Sequence, residues 1–162
     1  MDPNFHKTLV YIAQHDAEGA MGLVMNRPLG KNLAEVTAGP GMSEVLSQVP
    51  VFTGGPVRPE TLLVALFEKV GTEVTCRLDA PLEQAEAMVQ SGDGWVRAFA
   101  GYAGWSEGQL DGEMTEKAWT VCTPDPFLFN DKLTSGLWAA YLSGDDRWRT
   151  FVDFLPLDPS RN

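Results

Sequence analysis

Residues Gly104-Trp105-Ser106-Glu107-Gly108 form a literal G-x-S-x-G, the pattern that sets a nucleophilic serine on a sharp turn between a strand and a helix. Such a serine needs a general base to take its proton, and in the α/β-hydrolase order that base is a histidine later in the chain. No histidine follows Ser106; His6 and His15 both lie far upstream. Ser106 and Gln109 also have the spacing of a capping box, in which the serine is the N-cap of a helix and the glutamine reaches back to it. Capping accounts for Ser106 without a missing base, so no catalytic residue is assigned. The two histidines and the isolated Cys76 and Cys122 show neither metal-ligand spacing nor a C-x-x-C, which implies no metal site and no cofactor. Both thiols read as buried, reduced and unbonded to each other, small apolar side chains inside strands.

Other chemistry-bearing groups are weaker. Asp145-Asp146, and Glu83 with Glu86, fall on stretches that read as solvated surface. Gly39-Pro40-Gly41 and Gly54-Gly55-Pro56 match neither a dinucleotide nor a Walker loop. What remains is a set of four junctions. Gly19-Ala20-Met21-Gly22 permits close backbone approach. In Asn26-Arg27-Pro28 the amide can bond local backbone and the guanidinium can clamp a carboxylate or phosphate. Gly54-Gly55-Pro56-Val57 can take backbone angles closed to other residues. Gly101-Tyr102-Ala103-Gly104-Trp105 sets two aromatics with polar tips beside glycines. Each alone reads as a tight turn beside a packed ring; together, at strand ends, they predict that Asn26, Arg27, Gly54, Gly55, Tyr102 and Trp105 surround one depression.

Periodicity supplies the elements that would position them. Lys7–Gln14 and Ala20–Asn26 read as strands joined by a turn over His15–Gly19. Pro28, Gly30 and Asn32 end the second strand, with Asn32 capping a short helix through Ala38. Ser43–Gln48 supplies helical turns, Pro50–Thr53 a strand, and Thr61–Phe67 with Glu73–Leu78 a second hairpin. Pro81 opens a helix that closes at Ser91-Gly92, and Trp95–Tyr102 returns to strand. A glycine-weakened helix from Ser106 to about Lys117, a strand at Trp119–Cys122, a helix bearing Leu133, Leu137, Ala140 and Tyr141, and an amphipathic stretch at Trp148–Phe154 complete the chain. Short-linked strand pairs with interspersed helices predict a single α+β domain on a mixed, largely antiparallel sheet with helices packed on it.

The bulk composition is that of one globular domain. The 162 residues are 44% hydrophobic and 21% charged, and 12 basic against 22 acidic residues leave a net charge of −10. That balance, with Arg147 and Arg149 the closest basic pair, argues against tracking a phosphate backbone. No apolar run is long enough for a membrane span and no secretory start is visible, which predicts a cytosolic protein.

The ordered segments Asp2–Phe5, His15–Leu29 (H-x-x-x-GAMGLV-x-NRPL), Gly54–Val57 (GGPV), Gly101–Leu110 (GYAGW-x-x-GQL), Trp119 and Leu128-Phe129 resemble the AlgH/YqgE family of bacterial proteins across nearly the whole chain. His15, in the first long segment, joins the candidate ligand- or partner-binding residues. The family pattern leaves the Ser106 position free, which further weakens a nucleophile there. Members carry a strand of LLIA-P type before the Asp-Pro; here Met1 stands directly before Asp2, so the start is read as either truncated or lacking an edge strand. The resemblance implies a single cytosolic α+β domain filed as a transcriptional regulator, with no established biochemical activity. The expectation is a regulatory or interaction protein acting through an unknown protein partner or small ligand rather than by direct DNA binding. The alternative is a small enzyme or metabolite-binding domain with its pocket at the NRP, GGP and GYAGW junctions.

Overall fold

A computed structural model describes residues 5–37 and 42–143. The expected motifs at 39–41, Asp145-Asp146, Arg147, Arg149 and Trp148–Phe154 lie outside the described residues. Strands β1 (Val10–Asp16) and β2 (Gly19–Val24) form the first hairpin, pairing antiparallel from Val10–Val24 to Asp16–Gly19. Its tight turn is held by Asp16, whose carboxylate accepts from the Gln14 amide at 2.6 Å and the Glu18 N–H at 2.8 Å. The segment expected to end β2 instead makes its own strand: β3 (Pro28–Asn32) pairs with β4 (Pro50–Thr53). Proline is tolerated because β3 is an edge strand, where a missing ladder donor costs little. Asn32 and Glu35 make a reciprocal capping box on α1 (Leu33–Val36), and Ser43 caps α2 (Glu44–Ser47).

The second hairpin joins β5 (Val57–Val70) and β6 (Glu73–Arg77), and α3 (Leu82–Ser91) ends at Gly92 in the left-handed conformation. Strand β7 (Gly94–Ser106) runs longer than its apolar core predicts and organises the whole sheet. Residues 94–102 pair antiparallel with β5, 98–100 parallel with β4, and 103–106 antiparallel with β2. The strand order is β1-β2-β7-β4-β3, with β5 and β6 branching from β7. The α+β class with a mixed, largely antiparallel sheet is therefore the observed one.

Three local expectations need correction. The N-cap of α4 (Gln109–Thr115) is Gly108 at φ 67°, not Ser106. Ser106 stays in β7, where its N–H and hydroxyl both donate to the Gln109 side-chain oxygen, at 3.1 and 3.3 Å, so only the return half of the box forms. Trp119–Cys122 is not a strand but irregular chain, and Cys122 is exposed rather than buried. Two short 3-10 turns, Pro126–Phe129 and Asp131–Leu133, then lead into α5 (Thr134–Ser143).

Side-chain alternation along the central strands fills both faces. Val96 and Ala98 of β7, with Leu66 of β5, pack with Leu33, Leu46, Ala85 and Met88 of α1–α3. Phe99, Ala65 and Phe67 point the other way, onto Leu23, Phe52, Leu128 and Phe129. Each fully buried Phe removes enough apolar surface to stabilise the fold by roughly 1.5–3 kcal/mol. Arg97 lies in that second face at 2% exposure. Its guanidinium pairs with Asp131, donates to the Met25 and Leu128 carbonyls, and stacks 4.2 Å from the Phe52 ring centre. Burial pulls its pKa down, and Asp131 opposes that shift. A third cluster, Ala20, Ala103, Trp105 and Leu110, joins α4 to the β2–β7 end of the sheet.

Candidate functional site

A cavity of about 640 Å³ opens between the second and third clusters. One wall is β1 and its approach (Thr8, Leu9, Tyr11 and Ile12), the floor holds Met25 and Leu128, and α4 contributes Leu110, Asp111 and Met114. Trp105 of β7 and the irregular segment 119–124 complete the lining.

The seating of Trp105 begins with small residues. A Cβ on Gly22 would stand 2.6 Å from Val10 Cγ1 and 3.2 Å from a Trp105 ring carbon, so only glycine leaves room for the indole beside β2. Phe5 stacks on Trp105 at 5.9 Å, and both meet Trp119 edge-on. The indole N–H groups of Trp105 and Trp119 both donate to Glu113 Oε2, at 3.0 and 2.7 Å, while Gln109 Nε2 donates to Oε1 at 3.1 Å. Helical spacing explains the helix's contribution: Gln109 and Glu113, and Leu110 and Met114, are i,i+4 pairs, which turns one pair to the indoles and the other to the cavity.

Polar groups in the wall are few. His15 Nε2 and Asp111 Oδ1 lie 3.3 Å apart, with side chains 42% and 67% exposed. A register shift between Ile12 and Gln14 interrupts the β1–β2 ladder just before His15; bulges at edge strands commonly re-aim the side chains that follow. Tyr11 donates its hydroxyl to the Val74 carbonyl at 2.7 Å, and burial, with the charges of Cys76 and Glu73, raises its pKa. Burial likewise pushes the Cys122 thiol up, although the residue is exposed.

Of the seven candidate residues, His15 and Trp105 line this cavity and the other five do not. Asn26 works as a backbone clamp: its side-chain oxygen accepts the Leu9 N–H and its amide donates to the Lys7 carbonyl, both at 2.9 Å. Arg27 donates to the His6 carbonyl at 3.2 Å. Together they hold the approach to β1, which carries the wall residues Thr8 and Leu9. Gly54 and Gly55 form a second junction with Gly101 and Tyr102. The Gly54 N–H donates to Ala100 and its carbonyl accepts from Val24, both at 2.9 Å, and any Cβ on Gly54 would overlap the Gly101 carbonyl oxygen. Four of the junction residues are therefore neighbours at the crossing of β2, β4 and β7, set apart from the cavity by the sheet register. Sequence reasoning missed Asp111, Glu113, Tyr11, Leu110 and Met114; the available signal was the i,i+4 pattern of Gln109–Met114. Among the described residues no group of three His, Cys, Asp or Glu side chains could hold a metal. No described helix is long and apolar enough to cross a membrane.

The profile of a family described as AlgH-like matches residues 1–147. A UPF0301 protein of Stutzerimonas stutzeri is 36% identical over 80% of this chain and 74% of its own length. Another, of Mycolicibacterium smegmatis, is 30% identical and aligns with the whole chain and 85% of its own length. The solution structure of the AlgH protein from Pseudomonas aeruginosa superposes with a TM-score of 0.59 at 32% identity, over 92% of this chain and 86% of that one. A crystal structure of a Corynebacterium diphtheriae protein shares the fold, with a TM-score of 0.58 at 18% identity over 79% and 72% of the two chains.

Proposed function

The chain belongs to the AlgH-like family, and from that premise we propose that it is a cytosolic regulatory binding protein whose cavity takes a small, mainly apolar molecule, occupancy setting how the domain meets a protein partner. One observation carries the reading: a cavity of about 640 Å³ with apolar and aromatic walls and a single histidine–carboxylate pair at its wall. Small-molecule sites have this size and this mixture of apolar lining with a few placed polar groups. Its walls are pre-built, because Glu113 fixes both indoles and Asn26 fixes the chain that leads into β1. A preformed wall spares the ligand the entropy of ordering it. Direct contact with DNA has little support from a chain of net charge −10.

The test is a thermal-shift screen of apolar metabolites against the full chain and a Thr120→Trp variant. Thr120 is an exposed residue of the cavity wall, so an indole there fills space without disturbing the core. A native-state ligand raises Tm, the added stability growing as the logarithm of its concentration over Kd. Compounds that raise Tm in the parent and fail to do so in Thr120→Trp support the reading. A screen without any shift, or shifts undiminished in the variant, overturns it.

A further inference from the structure

We infer that the molecule this cavity selects is a cationic amphiphile, an apolar body carrying a protonated amine that seats against Asp111. The inference rests on the binding reading above and adds the sign of the ligand's charge. Its first support is the ionisable inventory of the wall. Among the described residues neither lysine nor arginine lines the cavity; His15 and Asp111 are the histidine and the carboxylate there, alongside the phenols of Tyr11 and Tyr141 and the thiol of Cys122. A carboxylate or phosphate ligand would lose its water here and find no lysine or arginine among the described residues in return, an unfavourable exchange.

The second support is the division of labour between the two acids of α4. Both oxygens of Glu113 accept hydrogen bonds from within the protein, so that carboxylate belongs to the scaffold. Asp111 has one oxygen toward His15 at 3.3 Å, and no described donor bonds the other. An ammonium group carries several donors and can meet that oxygen beside the imidazole. The third support is aromatic. Trp105, Trp119, Tyr11 and Tyr141 line the same space, and ring faces attract cations and repel anions. The whole chain, at net charge −10, adds a long-range field of the same sign. The apolar remainder of the wall, including Leu110, Met114 and the 78%-exposed Val121, accepts the body of the ligand. Each methylene buried there tightens binding by about fourfold.

Three probes with one tail separate charge from burial: octylamine, octanol and octanoate, titrated at neutral pH and 150 mM salt against the full-length protein. Trp105 and Trp119 report occupancy by fluorescence, and protection of Cys122 from iodoacetamide places the probe in this cavity. The expected order is octylamine tightest, at least about tenfold over octanoate, with octanol between. Asp111→Asn, an isosteric change at an exposed side chain, should remove most of octylamine's advantage over octanol and leave octanol unaltered. Equal or tighter binding of octanoate overturns the inference, as does a charge preference that Asp111→Asn leaves undiminished or binding that leaves Cys122 unprotected. If octanol and octanoate bind without any preference for octylamine, the cavity still binds apolar molecules and only the charge assignment fails. If none of the three binds, the binding reading fails with it.

Discussion

Trp105 and Trp119 meet edge to face, ring centres 5.9 Å apart at 75°, and send both indole N–H groups to a single oxygen of Glu113. A strand residue and a residue of irregular chain thus share one acceptor, and that sharing is what turns segment 119–124 into a wall. Glu113→Ala leaves two part-buried donors unsatisfied, each worth about 1–3 kcal/mol. The expected outcome is a loss near 2 kcal/mol in denaturant unfolding, with tryptophan emission shifted to the red; Glu113→Gln, which keeps an acceptor oxygen, should lose about half as much. Unchanged emission in Glu113→Ala would show that the indoles are seated by packing alone.

Glycines separate two regimes. Gly54→Ala forces a methyl to 2.1 Å from the Gly101 carbonyl oxygen at the β2–β4–β7 crossing, with the Phe99 Cβ 3.0 Å away, so backbone would have to move. We expect a loss above about 3 kcal/mol, or no folded protein. Gly112 sits in exposed α4 with nothing near its missing Cβ, so Gly112→Ala should gain up to about 1 kcal/mol through helix propensity. Chemical denaturation of the pair checks both signs.

The buried ion pair predicts a third result. Asp131→Ala strands the Arg97 guanidinium, which stays charged between two phenylalanine rings. Removing one partner of a fully buried pair costs about 3–5 kcal/mol. Asp131 is half exposed, and two carbonyls still accept from Arg97, so about 2 kcal/mol is expected here. Asp131→Asn should cost about 1 kcal/mol, because a neutral acceptor remains.

Thiol chemistry should divide cleanly. Cys122 is exposed and Cys76 is half-buried in β6, its pKa pushed up to about 12 by burial. In native protein at pH 8, one equivalent of iodoacetamide should react, and Cys122→Ser should abolish that reaction. The same burial has a stability consequence. Unfolded Cys76 releases its proton near pH 9 whereas the folded thiol holds it to about 12, so the unfolded state is favoured progressively between those limits. Tyr11, also raised, adds a loss in the same direction above pH 10. Unfolding free energy should fall across this window by at most about 1.4 kcal/mol per pH unit for each proton, and more gently in Cys76→Ala.

Nucleic-acid binding should be absent at physiological salt, given the −10 charge. A gel shift of random duplex at low micromolar protein, weakening as salt rises, would contradict this.

Much of the scaffold was legible because its signals are local. The two hairpins, α3 between Pro81 and Gly92, and β4 at Pro50–Thr53 each follow from turn chemistry and apolar period within a short window. The candidate site was legible in fragments. Trp105 and His15 do face the cavity, but Asn26, Arg27, Gly54 and Gly55 announce themselves by turn chemistry, which reports backbone conformation rather than the space a residue faces.

By itself the sequence determined most of the element types, the antiparallel bias, the family and the acidic charge, all of which arise from local pattern, motif order or simple summation. Only the tertiary structure decided that Trp119–Cys122 would be a wall instead of a strand. Central β7 already pairs with β2, β4 and β5, and the segment's apolar side chains go to the cavity. It alone decided that Arg97 would be buried against Asp131, and that Asp111 would meet His15 across the gap between α4 and β1. Those pairings join residues far apart in the chain, and their free energy exists only once β7 has fixed which elements are neighbours.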